Sequence, residues 1–148
     1  MRLQQYIDAL EEFAAQLGVS VFRSPLTPWV MGRTHGRQIV LRSGLSEEQQ
    51  LLTLIHELTH YLAHRPEAQL DRTVCEYEAE AVEKLVFGQL GLKELGSSID
   101  VATVTDNLLA CSVARVRSVA RTLLTAVDTQ PTAALAVDRL QAQAPVEI

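Results

Sequence analysis

Leu51, Leu54, Ile55, Leu58, Tyr61 and Leu62 recur at intervals of three and four, the spacing that gathers apolar side chains on one face of a helix. Ser46 with Gln49 three residues on reads as a capping box, Glu47 and Glu48 put negative charge in the first turn, and Pro66 stops the run after Arg65. The pattern predicts a largely buried helix over about 46–64. Ahead of it, an amphipathic helix from about Leu3 to Leu17 ends at Gly18, and Val19 to Arg23 reads as a strand. Trp29 to Arg33 and Arg37 to Leu41 then read as a hairpin around Thr34-His35-Gly36. Beyond Pro66, a second helix is expected over Thr73 to Phe87, folded back on the first by a short loop. Gly91, Gly96, Ser97 and Ser98 mark a linker; Val101 to Val127 reads as helix, and Pro131 introduces a short final one through about Gln141. The expected class is α+β, mostly helical, with a sheet of about three strands beside the 46–64 helix.

Composition narrows this picture. A chain of 148 residues that is 47% hydrophobic can bury one sizeable core, so a single domain over 1–148 is expected, with a catalytic core at 1–95 and a helical part at 96–148. A net charge of −5 argues against direct nucleic-acid binding. Arg115, Arg117 and Arg121 form a local basic cluster, read as a solvated face. Cys75 and Cys111 make no disulfide framework, no apolar leader follows Met1-Arg2, and no run of about 20 apolar residues could span a membrane. A cytoplasmic location with reduced thiols is the expectation; oligomeric state is left open.

The chemistry lies in His56-Glu57-Leu58-Thr59-His60. Residues four apart sit one above the other on a helix, so His56 and His60 can offer ring nitrogens to one zinc ion, with Glu57 beside it as general base. Histidines at this spacing also occur without metal; the cap, apolar face and stop favour the ligand reading. A catalytic zinc needs a third protein ligand. His64 would lie about 12 Å from His56 along a rigid helix, so it reads as a helix-end histidine near the last carbonyls, the alternative being contact with substrate or support of a ligand. A metzincin pattern would put its glycine and third histidine at Ala63 and Pro66. Glu76 and Glu80 share one face of the second helix, with Glu78 about 200° round from Glu76. Glu76 is therefore assigned as third ligand and Glu80 as acceptor for a ligand imidazole N–H, leaving Glu78 and Glu83 to solvent. The plainer reading has Glu76 closing a capping box with Thr73. Cys75 reads as a small apolar residue, His35 as an exposed turn residue, and Trp29 as core or groove lining.

The run HELTHYLAH, followed by the helix CEYEAEAVEKLVFGQLGL, resembles the ImmA/IrrE and ArdC-like zincin metallopeptidases over Leu45 to Leu92. The resemblance implies zinc on His56, His60 and Glu76 with Glu57 as base. Glu83 departs from it, since the family often has a small residue there. Members often carry a DNA-binding domain, for which this chain has no room. Two classes of function follow. One is a zinc endopeptidase acting on a protein or peptide, by resemblance a regulatory protein such as a helix-turn-helix repressor; an edge strand beside the cleft offers a route to peptide binding. The other is a zincin-like interaction module that keeps zinc and cuts nothing.

Overall fold

The computed structural model describes residues 2–92 and 112–142, the last fourteen of these as backbone. In chain order the elements are α1 (Arg2–Gln16), β1 (Ser20–Ser24), β2 (Gly32–His35), β3 (Gln38–Arg42), α2 (Glu47–Ala63), a 3₁₀ turn (Pro66–Ala68), α3 (Arg72–Gln89) and α4 (Val113–Ala142). The class is α+β, mostly helical, with one three-stranded sheet.

The sequence signals act locally as chemistry dictates. Helix α1 ends because Gly18 takes a φ of +80°, letting Val19 N–H donate to Ala14 O at 2.8 Å and Gly18 N–H to Ala15 O at 3.0 Å, the Schellman closure. Ser46 caps α2 with both arms of the capping box formed to Gln49. Asp71, not Thr73, caps α3, its side chain accepting from Thr73 N–H at 2.8 Å.

The sheet has the order β1-β3-β2. β2 and β3 form the expected antiparallel hairpin, but its loop is Gly36-Arg37, so Thr34 and His35 belong to the strand. Gly36, at φ +58°, supplies the left-handed first position that a two-residue loop needs. β1 pairs with the far side of β3 in parallel register, Val21 opposite Ile39, which leaves β2 as an edge. The crossing segment is tied down by the Arg42 guanidinium on Thr27 O and by Arg42 N–H on Met31 O at 2.7 Å.

One apolar cluster joins Ile7 and Leu10 of α1, Ile39 and Leu41 of β3, Leu54, Ile55 and Leu58 of α2, Val82 and Val86 of α3, and Val119 and Leu123 of α4. Full burial of each large side chain contributes about 1.5–3 kcal/mol, which holds α2 in place although its other face carries costly polar groups. Helix α3 packs against both α2 and α4, so it is covered on two sides. The helix expected from Val101 begins at Val113 among the described residues; 101–111 lie outside them. The break expected at Pro131 is absent, and the backbone stays helical to Ala142. Proline removes one ladder hydrogen bond and bends a helix, which does not end it when good helix formers flank the site. Among the described residues no helix is long and apolar enough to cross a membrane.

Candidate metal centre

Helix α2 presents His56 and His60 from successive turns, and the second turn of α3 brings Glu76 to them. The two Nε2 atoms are 3.1 Å apart, Glu76 Oε1 is 3.1 Å from His56 Nε2, and Glu76 Oε2 is 2.9 Å from His60 Nε2. Three donors each about 2.1 Å from one tetrahedral zinc would stand about 3.4 Å apart. The observed triangle is slightly tighter than that, and small outward shifts would accommodate a cation. The donor set fits as well, because two imidazoles and one carboxylate leave a fourth position open. His56, His60 and Glu76 are thus the group of described residues that could hold a metal ion.

The outward nitrogens of the two imidazoles are also engaged. His56 Nδ1 meets Glu83 Oε2 in a short contact, so the carboxylate that orients His56 belongs to Glu83, whereas the sequence reading gave that part to Glu80 and sent Glu83 to solvent. Glu83 lies seven residues from Glu76, about 20° off its direction and deeper between the helices; Glu80, about 40° off the other way, lines the cleft partly exposed. His60 Nδ1 contacts His64 Nδ1 at 2.9 Å, and His64 Nε2 contacts Glu78 Oε1 at 2.8 Å. His64 therefore does not bind the last carbonyls of α2 as expected from sequence; its ring is turned inward, the side chain 2% exposed. Glu78, read as solvated, is 1% exposed and grips Arg115 through two bonds, Nε to Oε1 at 2.8 Å and NH2 to Oε2 at 2.7 Å. Glu78 is buried because α3 has a second covered side, against α4, besides the one that faces α2. For the same reason Arg115 leaves the supposed solvated cluster, while Arg117 and Arg121 stay exposed.

Glu57 lines the same cleft and is itself buried. Thr34 of β2 donates its hydroxyl to Glu57 Oε1 at 2.6 Å, with the Glu57 backbone oxygen 3.1 Å away, which fixes the side-chain rotamer and leaves Oε2 for a reactant. Sequence reading missed Thr34 because it stood in a presumed turn. β2 comes this close to α2 because Gly32 has no side chain: a Cβ there would stand 2.5 Å from Thr53 Cγ2 and 3.3 Å from Glu57 Cγ. The cleft, about 660 Å³, is also lined by Trp29, Met31, Arg33 and Arg72, with Trp29 91% exposed, so Trp29 is groove rather than core. His35 is exposed. Cys75 is half-buried, and burial followed by the Glu78 and Glu76 charges pushes its thiol up, away from the thiolate a ligand would need.

Burial disfavours the His56 cation, but hydrogen bonds to Glu76 and Glu83, reinforced by the Glu83 and Glu57 charges, raise its pKa from 6.5 to about 10. Hydrogen bonds from His56 and His60 hold the Glu76 carboxyl well below the usual carboxylate range. Burial lowers His64 despite Glu78. In the apo protein the stabilisation from His56 is complete below pH 6.5 and is lost as pH rises through about 10, while that from Glu76 is present above about 4.5 and is lost on acidification. A cation must displace the His56 proton. Uptake of Zn²⁺ or Co²⁺ at pH 7 should therefore release about one proton, and apparent affinity should climb towards pH 10. Calorimetry in buffers of different ionisation heat measures this directly, and proton-neutral uptake would contradict it. Glu83→Ala should weaken zinc binding by about 10–100-fold, since His56 loses the group that aims its ring; competition against a chromophoric chelator reads the change.

A helix bearing His-Glu-x-x-His, a short loop and a second helix that returns a glutamate to the two imidazoles define a zincin-like metallopeptidase domain. Residues 14–86 match the model of the IrrE N-terminal-like domain, Peptidase_M78, and over this stretch the chain is similar to that family. Comparison with curated proteins and with solved structures found no match. The matched stretch runs from the end of α1 into α3, so α4 lies beyond it.

Proposed function

We propose that this domain is a zinc-dependent endopeptidase acting on an extended segment of a protein, with His56, His60 and Glu76 as zinc ligands and Glu57 as general base. The observation that carries the reading is the convergence of three donor atoms within 4.8 Å of one another in the cleft that also holds Glu57. Zinc bound there would polarise the scissile carbonyl and make water acidic enough to be deprotonated near neutral pH. Glu57 accepts a proton from the attacking water at Oε2, with Oε1 kept on Thr34, and returns it to the leaving amine nitrogen. Arg33 and Arg72 line the cleft and would supply positive charge for the carbonyl oxygen as it becomes negative. Tyr61 is buried in the core, and the His64 ring is taken up by His60 and Glu78, so neither is free for this part. β2, as the edge of the sheet, offers main-chain hydrogen bonds to an extended peptide, and Trp29 and Met31 offer apolar contact at its start. By family resemblance the substrate is a regulatory protein such as a helix-turn-helix repressor, cut at a limited number of sites in the cytoplasm.

Purified protein supplemented with zinc should bind one ion per chain, lose cleavage of its substrate when a chelator strips the metal, and regain it on zinc addition. Metal analysis alongside a cleavage assay tests this. Failure to bind stoichiometric zinc sinks the reading; zinc bound without cleavage of any trapped partner would instead favour an interaction module.

A further inference from the structure

We propose that Arg115, in the first turn of α4, is a positioning residue for the metal centre: by clamping Glu78 it fixes His64, and through His64 the orientation and tautomer of His60. The proposal rests on the metal reading above and extends it to a helix outside the family-matched stretch. The directions of the hydrogen bonds follow from valence. If His60 Nε2 binds a cation, its one ring proton sits on Nδ1 and is donated to His64 Nδ1, 2.9 Å away. His64 then carries its proton on Nε2 and donates it to Glu78 Oε1 at 2.8 Å. Glu78 must therefore remain an acceptor on that oxygen and must be held still. The N-terminus of α4 does both: Arg115 bonds both carboxylate oxygens, and the Ser112 backbone N–H donates to Oε2 at 2.8 Å. Ser112 in turn caps α4, its Oγ accepting from Arg115 N–H at 2.9 Å, so the clamp and the helix start are one unit. Each link is buried or half-buried, and a change at Arg115 reaches the ligand His60 through two intervening side chains, Glu78 and His64.

The test is zinc affinity, measured by chelator competition on the full chain, with the absorption spectrum of the Co²⁺ form as a readout of ligand geometry. Arg115→Ala should weaken zinc about tenfold and alter the Co²⁺ bands. Arg115→Lys, which keeps the charge but cannot span both oxygens, should fall between the wild type and Arg115→Ala. In a His64→Ala background, where the chain is already cut, adding Arg115→Ala should change affinity by no more than about twofold. Leu123→Ala, a cavity in the buried face of α4, loosens the helix without touching the relay, and should lower Tm while leaving zinc affinity within about twofold. The proposal is overturned if the Arg115 variants bind zinc like wild type, if the Arg115→Ala effect persists in full without His64, or if Leu123→Ala weakens zinc equally. Should Arg115→Ala fail to fold, Arg115→Lys against Leu123→Ala makes the same comparison. A wild type that takes up no zinc fails the metal reading itself, a result distinct from normal zinc binding that ignores Arg115.

Discussion

Glu57→Gln is expected to keep zinc and lose cleavage, with kcat/KM falling by about 10²–10⁴-fold, the usual contribution of a positioned general base. The substitution is close to isosteric. Its amide oxygen can still accept from the Thr34 hydroxyl, which stands 2.6 Å from Glu57 Oε1, so the rotamer and the strand–helix contact should survive. What is lost is the capacity to take a proton at the other position. Since ligand residues are untouched, metal stoichiometry should remain that of wild type, and the variant should hold its substrate long enough to be isolated with it. Mass spectrometry of co-purifying proteins would then name the substrate, and a cleavage assay on that protein would measure the loss. Undiminished cleavage by Glu57→Gln would remove Glu57 from its assigned role.

The largest effect on stability is expected at Glu78. Replacing it with alanine strands the Arg115 guanidinium and the buried His64 ring without their shared acceptor, and breaking a buried pair in this way costs about 3–5 kcal/mol. Arg115 is 29% exposed on its side chain and can recruit water, which places the expected loss near the lower end, about 3 kcal/mol. For a chain of this size that corresponds to a fall in Tm of roughly 6–12 °C. Thermal unfolding of the apo protein measures it apart from any metal effect. A fall of only a degree or two would mean that the α3–α4 junction does not depend on this carboxylate.

What could be read from sequence divides along physical lines. The helix carrying His56 and His60 was legible because its cap, apolar stripe and terminator are all local, and the strands around Gly36 were legible for the same reason. Glu76 was within reach because its position depends on one helix packing against one other. Glu78 was misplaced because its burial depends on α4, some thirty residues downstream, whose docking leaves no local mark on α3, and Glu83 because the choice between it and Glu80 against His56 turns on about 60° of rotation about α3. Thr34 was hidden by a two-residue uncertainty in a hairpin loop, enough to move a side chain from turn to strand. The parallel pairing of β1 with β3 was likewise invisible, since strand alternation encodes burial and not partners.

β2 serves two masters. Its Thr34 side chain holds Glu57, and its outer edge is the surface along which, on the proposed reading, a peptide would lie, while Gly32 seats the strand so tightly on α2 that it has little freedom to yield. A peptide laid along this edge would therefore meet the Glu57 carboxylate at a separation set by the protein's own packing. The reach from strand edge to carboxylate then acts as a ruler that belongs to the protein and not to its guest.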